Sequence, residues 1–373
     1  MEVVANRDSR LPQRSTTHGF VAGRLFTKLS RASSRRAWIA AALLAWSGVA
    51  GAESSGAFAG RRMPYEAFEK LAISRRNVGG GALEIVFAPG RLAVSRRALL
   101  DWIAAAARAV TAYYGRFPVP RVRVLVIAGP GRGIRSGTTY GDRGAAIKVT
   151  VGSETQADDL TRDWVMTHEM VHLALPQLVG DHDWLGEGIA TYVEPIGRVQ
   201  AGSLAVEKVW SDLVDGLPKG LPKPEDRGLD GTPTWGRTYW GGALFCLLSD
   251  IEIRQRTGNR RGLEDSLRAV NEAGGDVEQR WKIEKVFEVG DRASGVGVLR
   301  ELYDRMKDAP VDVDLAHLWT QLGVKTDGGT ITFDDGAPLA AIRRAITDRH
   351  APPRSASALD CDGDGVRNPS GPS

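Results

Sequence analysis

Trp164-Val165-Met166-Thr167-His168-Glu169-Met170-Val171-His172, followed by Trp184-Leu185-Gly186-Glu187-Gly188, is the stretch on which the reading of this chain turns. Positions four apart on a helix lie on one face, so His168 and His172 can offer two imidazole nitrogens to one metal ion. The His-Glu-x-x-His spacing puts Glu169 beside that ion. Glu187, fifteen positions after His172, supplies a carboxylate as third ligand. Three protein ligands and one position left for water are what a catalytic zinc site needs. The pattern therefore predicts a zinc-dependent hydrolase with one catalytic ion. Zinc lowers the pKa of its water to about 7. Glu169 would act as general base on that zinc-bound water and later hand the proton to a leaving amine.

His182, in Gly180-Asp181-His182-Asp183, is a rival third ligand and reads better as a loop histidine. A metzincin would need glycine at position 175 and histidine at 178, where this chain has Leu175 and Leu178. His317 and His350 lie far downstream and read as surface residues.

Asp158–Leu175 has helical spacing, with two aspartates near its start and Pro176 at its end. Upstream, 82–88, 121–128 and 145–152 read as strands, and Ser95–Tyr114 as a helix closed by Gly115. Gly129–Gly144 holds six glycines and reads as a loop or wide turn. Downstream, Gly186–Glu194 reads as a short helix stopped by Pro195, 215–236 as a long loop, and Tyr239–Thr257 as an apolar helix ended by Gly258. Further helices are expected around 262–272, 280–287, 297–307, 314–322 and 337–347. The fold class is α+β. A zincin-type subdomain with an N-terminal mixed sheet and the active-site helix spans 81–200, and a mainly helical subdomain spans 201–350. Residues 53–80 read as a loosely ordered linker, and 351–373 as a disordered Asp/Gly/Pro/Ser tail. The strand at 145–151 is a candidate to pair with an extended peptide.

Residues 1–52 read as an export signal. Eight Arg or Lys precede an uncharged run, Ala37–Ala52, that ends in a small-x-small site at Ala50-Gly51-Ala52. Ser34-Arg35-Arg36 also resembles a twin-arginine signal, so either export route fits, to the periplasm or beyond the cell. The uncharged run is shorter than the roughly 20 residues of a membrane span, so no stable span is expected after cleavage. The whole chain carries +4; without the eight bases and two acids of 1–52 the remainder carries −2. The basic balance thus belongs to the leader and does not point to nucleic acid. Cys246 sits in an apolar run and reads as a small buried hydrophobe.

The two motifs together, with Thr167 before the first and Ile189-Ala190-Thr191-Tyr192 after the second, resemble the gluzincin, peptidase-MA-like metallopeptidases. In the aminopeptidase N group of that class the third ligand is the Glu of a Trp-Leu-x-Glu-Gly-x-Ala run. Tyr239-Trp240-Gly241-Gly242-Ala243-Leu244, continuing into Asp250–Gly258, is more similar to the glycyl aminopeptidase family. The resemblance covers roughly 95–350. It implies zinc on His168, His172 and Glu187, Glu169 as general base, and Tyr239 as hydrogen-bond donor to the oxyanion. Packing beneath the adjacent loop is the other role open to Tyr239. Gly137-Thr138-Thr139-Tyr140-Gly141-Asp142 stands where that group has its exopeptidase motif, so internal and N-terminal cleavage both stay open.

The expected activity is an exported zinc peptidase acting on peptide or protein substrates. A catalytically silent, zinc-stabilised binding module of the envelope is the alternative. Asp360-Cys361-Asp362-Gly363-Asp364-Gly365 resembles the start of a calcium loop, but the twelfth position is Gly371 rather than Glu. A flexible acidic tail and a weak Ca2+ site both fit it.

Overall fold

The computed structural model describes residues 62–348. The leader at 1–52, the tail at 351–373 with its calcium-loop start, and His350 lie outside the described residues.

Helix α1 (Ala67–Lys70) precedes strands β1 (Ser74–Val78) and β2 (Gly81–Phe87). Helix α2 (Arg96–Tyr114) then leads to β3 (Arg121–Gly129), β4 (Ile134–Tyr140) and β5 (Ala146–Gly152). The five strands form one sheet in the order β1-β2-β3-β5-β4. The three inner strands are parallel neighbours, and β1 and β4 run antiparallel along the two edges. The ends of α2 follow its local sequence. Ser95 accepts the Ala98 N–H at 3.2 Å, and Gly115 closes the helix at φ +79°.

Val124-Leu125-Val126-Ile127 in β3 is apolar without alternation, as in strands covered on both faces. Val122, Val124 and Val126 face the large core with α2, together with Leu83, Ile85, Ile147 and Val149. Leu125 and Ile127 face the other way with Val86, Ala88 and Ala146, under Met63, Ala67, Tyr65, Phe68 and Leu71. The 53–80 linker is thus corrected over its described part. Its polar strand β1 pairs with β2, and the segment before it covers the second face of the sheet. Two further corrections concern the same sheet. The glycine-rich 129–144 contains edge strand β4, which pairs with β5 from Tyr140↔Ala146 to Ile134↔Val151. Strand 145–151 is therefore interior, bonded on both sides, and is not free to take a peptide strand.

Helices α3 (Ala157–Thr161) and α4 (Val165–Val171) follow, with a 3-10 turn over His172–Ala174. The single helix expected over 158–175 is broken because the Asp163 carboxylate accepts the backbone N–H groups of Val165 and Met166, each at 3.1 Å, and so starts a new helix. After the two-residue strand β6 (Gln177–Leu178), α5 (Asp183–Gln200) runs straight through Pro195. An interior proline costs about 3 kcal/mol or more. Buried Ile189, Val193 and Ile196 each contribute about 1.5–3 kcal/mol on the same helix, so packing outweighs the proline.

The second half comprises α6 (Val206–Gly216), α7 (Gly228–Gly231), α8 (Gly242–Thr257), α9 (Leu263–Glu272), β7 (Arg280–Trp281), α10 (Ile283–Ser294), α11 (Val298–Met306), α12 (Leu315–Leu322), β8 (Val324–Asp327), β9 (Thr330–Phe333) and α13 (Ala340–Thr347). The long loop expected over 215–236 is shortened by a 3-10 turn at Leu217–Gly220 and by α7. Between 322 and 340 the chain adds a hairpin, turning through Gly328 and Gly329 at φ +54° and +84°. One hydrophobic core holds residues from Leu83 to Ile346. The boundary expected at 200/201 therefore separates two halves of one packed unit, not two bodies. Cys246 is buried within that core. No helix among the described residues is long and apolar enough to cross a membrane.

Candidate active site

The break before α4 aims its buried face, His168 and Glu169 included, at α5 and β4. His168 Nε2 lies 3.1 Å from Glu187 Oε2 and 3.3 Å from His172 Nε2, and His172 Nε2 lies 3.6 Å from Glu187 Oε2. The three ligand atoms all fall within 4.8 Å of one another, close enough to share one metal ion. The electrostatics agree with a cation site. Burial alone would raise the Glu187 carboxyl, yet the positive charge and hydrogen bonds of His172 and His168 hold it well below the usual carboxylate range. Burial works against charging His172, and Glu187 overrides it, so the imidazole is raised to about 9.

The Glu169 carboxylate lies between the triad and β4. Thr139 Oγ1 lies 2.7 Å from Glu169 Oε2 and 2.8 Å from the Glu169 carbonyl oxygen. Gly137 lies against the same carboxylate; a Cβ there would sit 2.5 Å from Glu169 Cγ and 2.8 Å from Oε1. Burial raises the Glu169 carboxyl above its ordinary value, opposed by both histidines and the Thr139 hydrogen bond. A carboxylate raised in this way takes up a proton more readily than an ordinary one.

Tyr239 arrives on a π-helical turn, Arg237–Gly241, at the head of α8. Such turns recur at functional sites because they push one residue out of helical register. Two features hold the turn in place. Arg237 pairs with Asp226 at 2.8 Å and donates to the Gly220 carbonyl at 2.6 Å. Gly188, next to Glu187, meets Gly242 so closely that a Cβ on it would lie 2.3 Å from the Gly242 carbonyl carbon. The Tyr239 ring stacks on His168 at 6.2 Å. Burial and the negative charges of Glu187 and Glu169 keep its phenol protonated far above the ordinary range, so it is a donor.

His182 is directed elsewhere. Its Nδ1 lies 2.9 Å from Asp230 Oδ1, which also accepts the Trp184 N–H at 2.7 Å. Tyr303 donates to the other oxygen at 2.8 Å. This cluster ties the start of α5 to α7 and α11, and the rival-ligand reading of His182 is set aside. His317 is exposed on α12. All five residues singled out from the sequence, His168, Glu169, His172, Glu187 and Tyr239, converge. Thr139 and Gly137 were not identified as contacts of Glu169, because nothing local in a glycine-rich segment predicts its pairing with β5.

No protein-family model matches the chain, and no curated protein matches it. Among solved structures, an aminopeptidase N family protein from Idiomarina loihiensis is 12% identical, with 68% of this chain and 49% of that chain covered and a TM-score of 0.49. An M1 zinc metallopeptidase from Deinococcus radiodurans is 14% identical, with 65% and 53% covered and a TM-score of 0.44. The chain spans about half the length of either.

Proposed function

We propose that this chain is a gluzincin-type zinc peptidase. The observation that carries the proposal is the convergence of His168, His172 and Glu187 beside a buried Glu169 that Thr139 and Gly137 hold in place. Two imidazole nitrogens and a carboxylate held ionised fit zinc. A bound zinc ion supplies Lewis acidity and acidifies water. Glu169 takes the proton from the attacking water and delivers it to the leaving amine. The Tyr239 O–H donates to the oxygen on which negative charge develops. Strand β4, which carries Gly137 and Thr139, is an edge of the sheet among the described residues, and an extended peptide added there would lie beside Glu169. The leader motif of residues 1–52 supports export and action in the periplasm or outside the cell.

The deciding experiment measures zinc content and mixed-peptide hydrolysis for the wild type and Glu169→Gln. Stoichiometric zinc in both, with hydrolysis by the wild type alone, is expected. Zinc in both with hydrolysis by neither favours the silent binding module. A wild type that binds no zinc refutes the proposal.

A further inference from the structure

Trp164, Val179 and Trp235 are the large apolar side chains that remain exposed among the described residues, at 50%, 46% and 63%. Single exposed hydrophobes need no explanation, but the placement of these three does. Trp164 caps α4 four residues before His168 and meets its ring edge-on at 5.3 Å. Trp235 lies four residues before Tyr239 and stacks on its ring at 5.9 Å, with 28° between planes. Val179 lies on the segment joining the two ligand-bearing helices. Each exposed side chain thus sits on a segment that delivers a site residue. Trp164, His168, Tyr239 and Trp235 form a continuous row of rings, wet at both ends, with His168 buried and Tyr239 half-buried between them. Of the other described tryptophans, Trp102, Trp184, Trp210 and Trp281 are buried and Trp240 and Trp319 are half-buried, so Trp164 and Trp235 are the two whose faces are left to water.

We infer that Trp164 and Trp235 are walls of substrate subsites, and that the site selects peptides with bulky apolar side chains, aromatic above all, beside the scissile bond. The inference rests on the peptidase reading. Aromatic rings pair at centroid separations of 4.5–7 Å, stacked or edge-on. The row already runs at 5.3, 6.2 and 5.9 Å. A substrate ring would extend it at either end and cover an indole face that water now contacts.

The test uses zinc-loaded full-length protein and matched peptides with Phe or Ala beside the cleaved bond. Wild type is expected to favour the Phe peptide in kcat/KM. Trp235→Ala and Trp164→Ala should each lower the Phe-to-Ala ratio about tenfold, about 1.4 kcal/mol, and Trp→Phe at either position should keep most of it. A merely structural role would slow both peptides alike and leave the ratio unmoved, which overturns the inference. Polarisation of the same peptides, fluorescein-labelled, is measured in parallel on zinc-loaded Glu169→Gln, with and without each tryptophan substitution. If the wild type hydrolyses nothing, the peptidase reading fails. The binding ratio still decides the subsites: a Phe preference lost with either indole supports them, and equal binding of both peptides refutes them.

Discussion

Replacing Gly137 by alanine adds one methyl group at the point where β4 touches Glu169. The backbone of Gly137 lies outside the left-handed region, so alanine meets no conformational penalty there. The whole effect is steric. The new Cβ would lie 2.5 Å from Glu169 Cγ and 2.9 Å from Cδ, against about 3.5–4.0 Å for carbons in favourable contact. Glu169 or β4 must therefore move by about 1 Å. Misplacing a catalytic group by that distance costs about 10²-fold in rate, and overpacking of this kind costs about 1–3 kcal/mol of stability. The ligands His168, His172 and Glu187 are not in the path. Gly137→Ala should thus keep its zinc, melt a few degrees lower, and lose about 10²-fold in kcat/KM. Zinc by atomic absorption, melting by circular dichroism and steady-state hydrolysis read the three quantities. Activity within twofold of wild type, in a folded zinc-loaded protein, would refute the view that β4 fixes the base.

Two further outcomes follow from the same geometry. The Thr139 hydrogen bond favours the ionised form of Glu169, so Thr139→Val should raise its pKa further. The acidic limb of the kcat/KM profile should then move to higher pH, with activity on that limb falling about tenfold or more for a bond to a charged group worth about 1.5–3 kcal/mol; a limb that stays put would detach Thr139 from the base. Tyr239→Phe should lower kcat about 10²–10³-fold, as loss of one oxyanion donor does, with zinc content unchanged; a full-rate variant would assign Tyr239 to packing alone.

What the sequence disclosed depended on how far apart the interacting residues are. His168 and His172 are one helical turn apart, and Ser95 and Gly115 act on the ends of their own helix, so local rules suffice for them. Strand β1, Ser-Arg-Arg-Asn-Val, carries neither alternation nor an apolar run, because it is an exposed edge. The segment before it was implied elsewhere: the unbroken apolar run of β3 required cover on a second face, and residues 63–71 supply it. β4 was hidden by its glycines, one of which, Gly137, is small because Glu169 needs the space. Pro195 misled because a breaker rule describes an isolated helix, and α5 is clasped by α2 and α8. The aromatic row around His168 joins two segments, 164–168 and 235–239, and the contact between them has no signature in either.

The backbone contact between Gly188 and Gly242 has a consequence for the order in which the site can assemble. His168 and Glu187 are separated by 19 positions, a short loop whose closure is inexpensive in chain entropy, and closure cost rises with length. The phenol of Tyr239 reaches them only when two helices from opposite halves of the chain come into contact with no side chain between them. On the proposed function, the residues that would hold the metal meet through a local closure, whereas the proposed oxyanion donor joins them only through the docking of the C-terminal half.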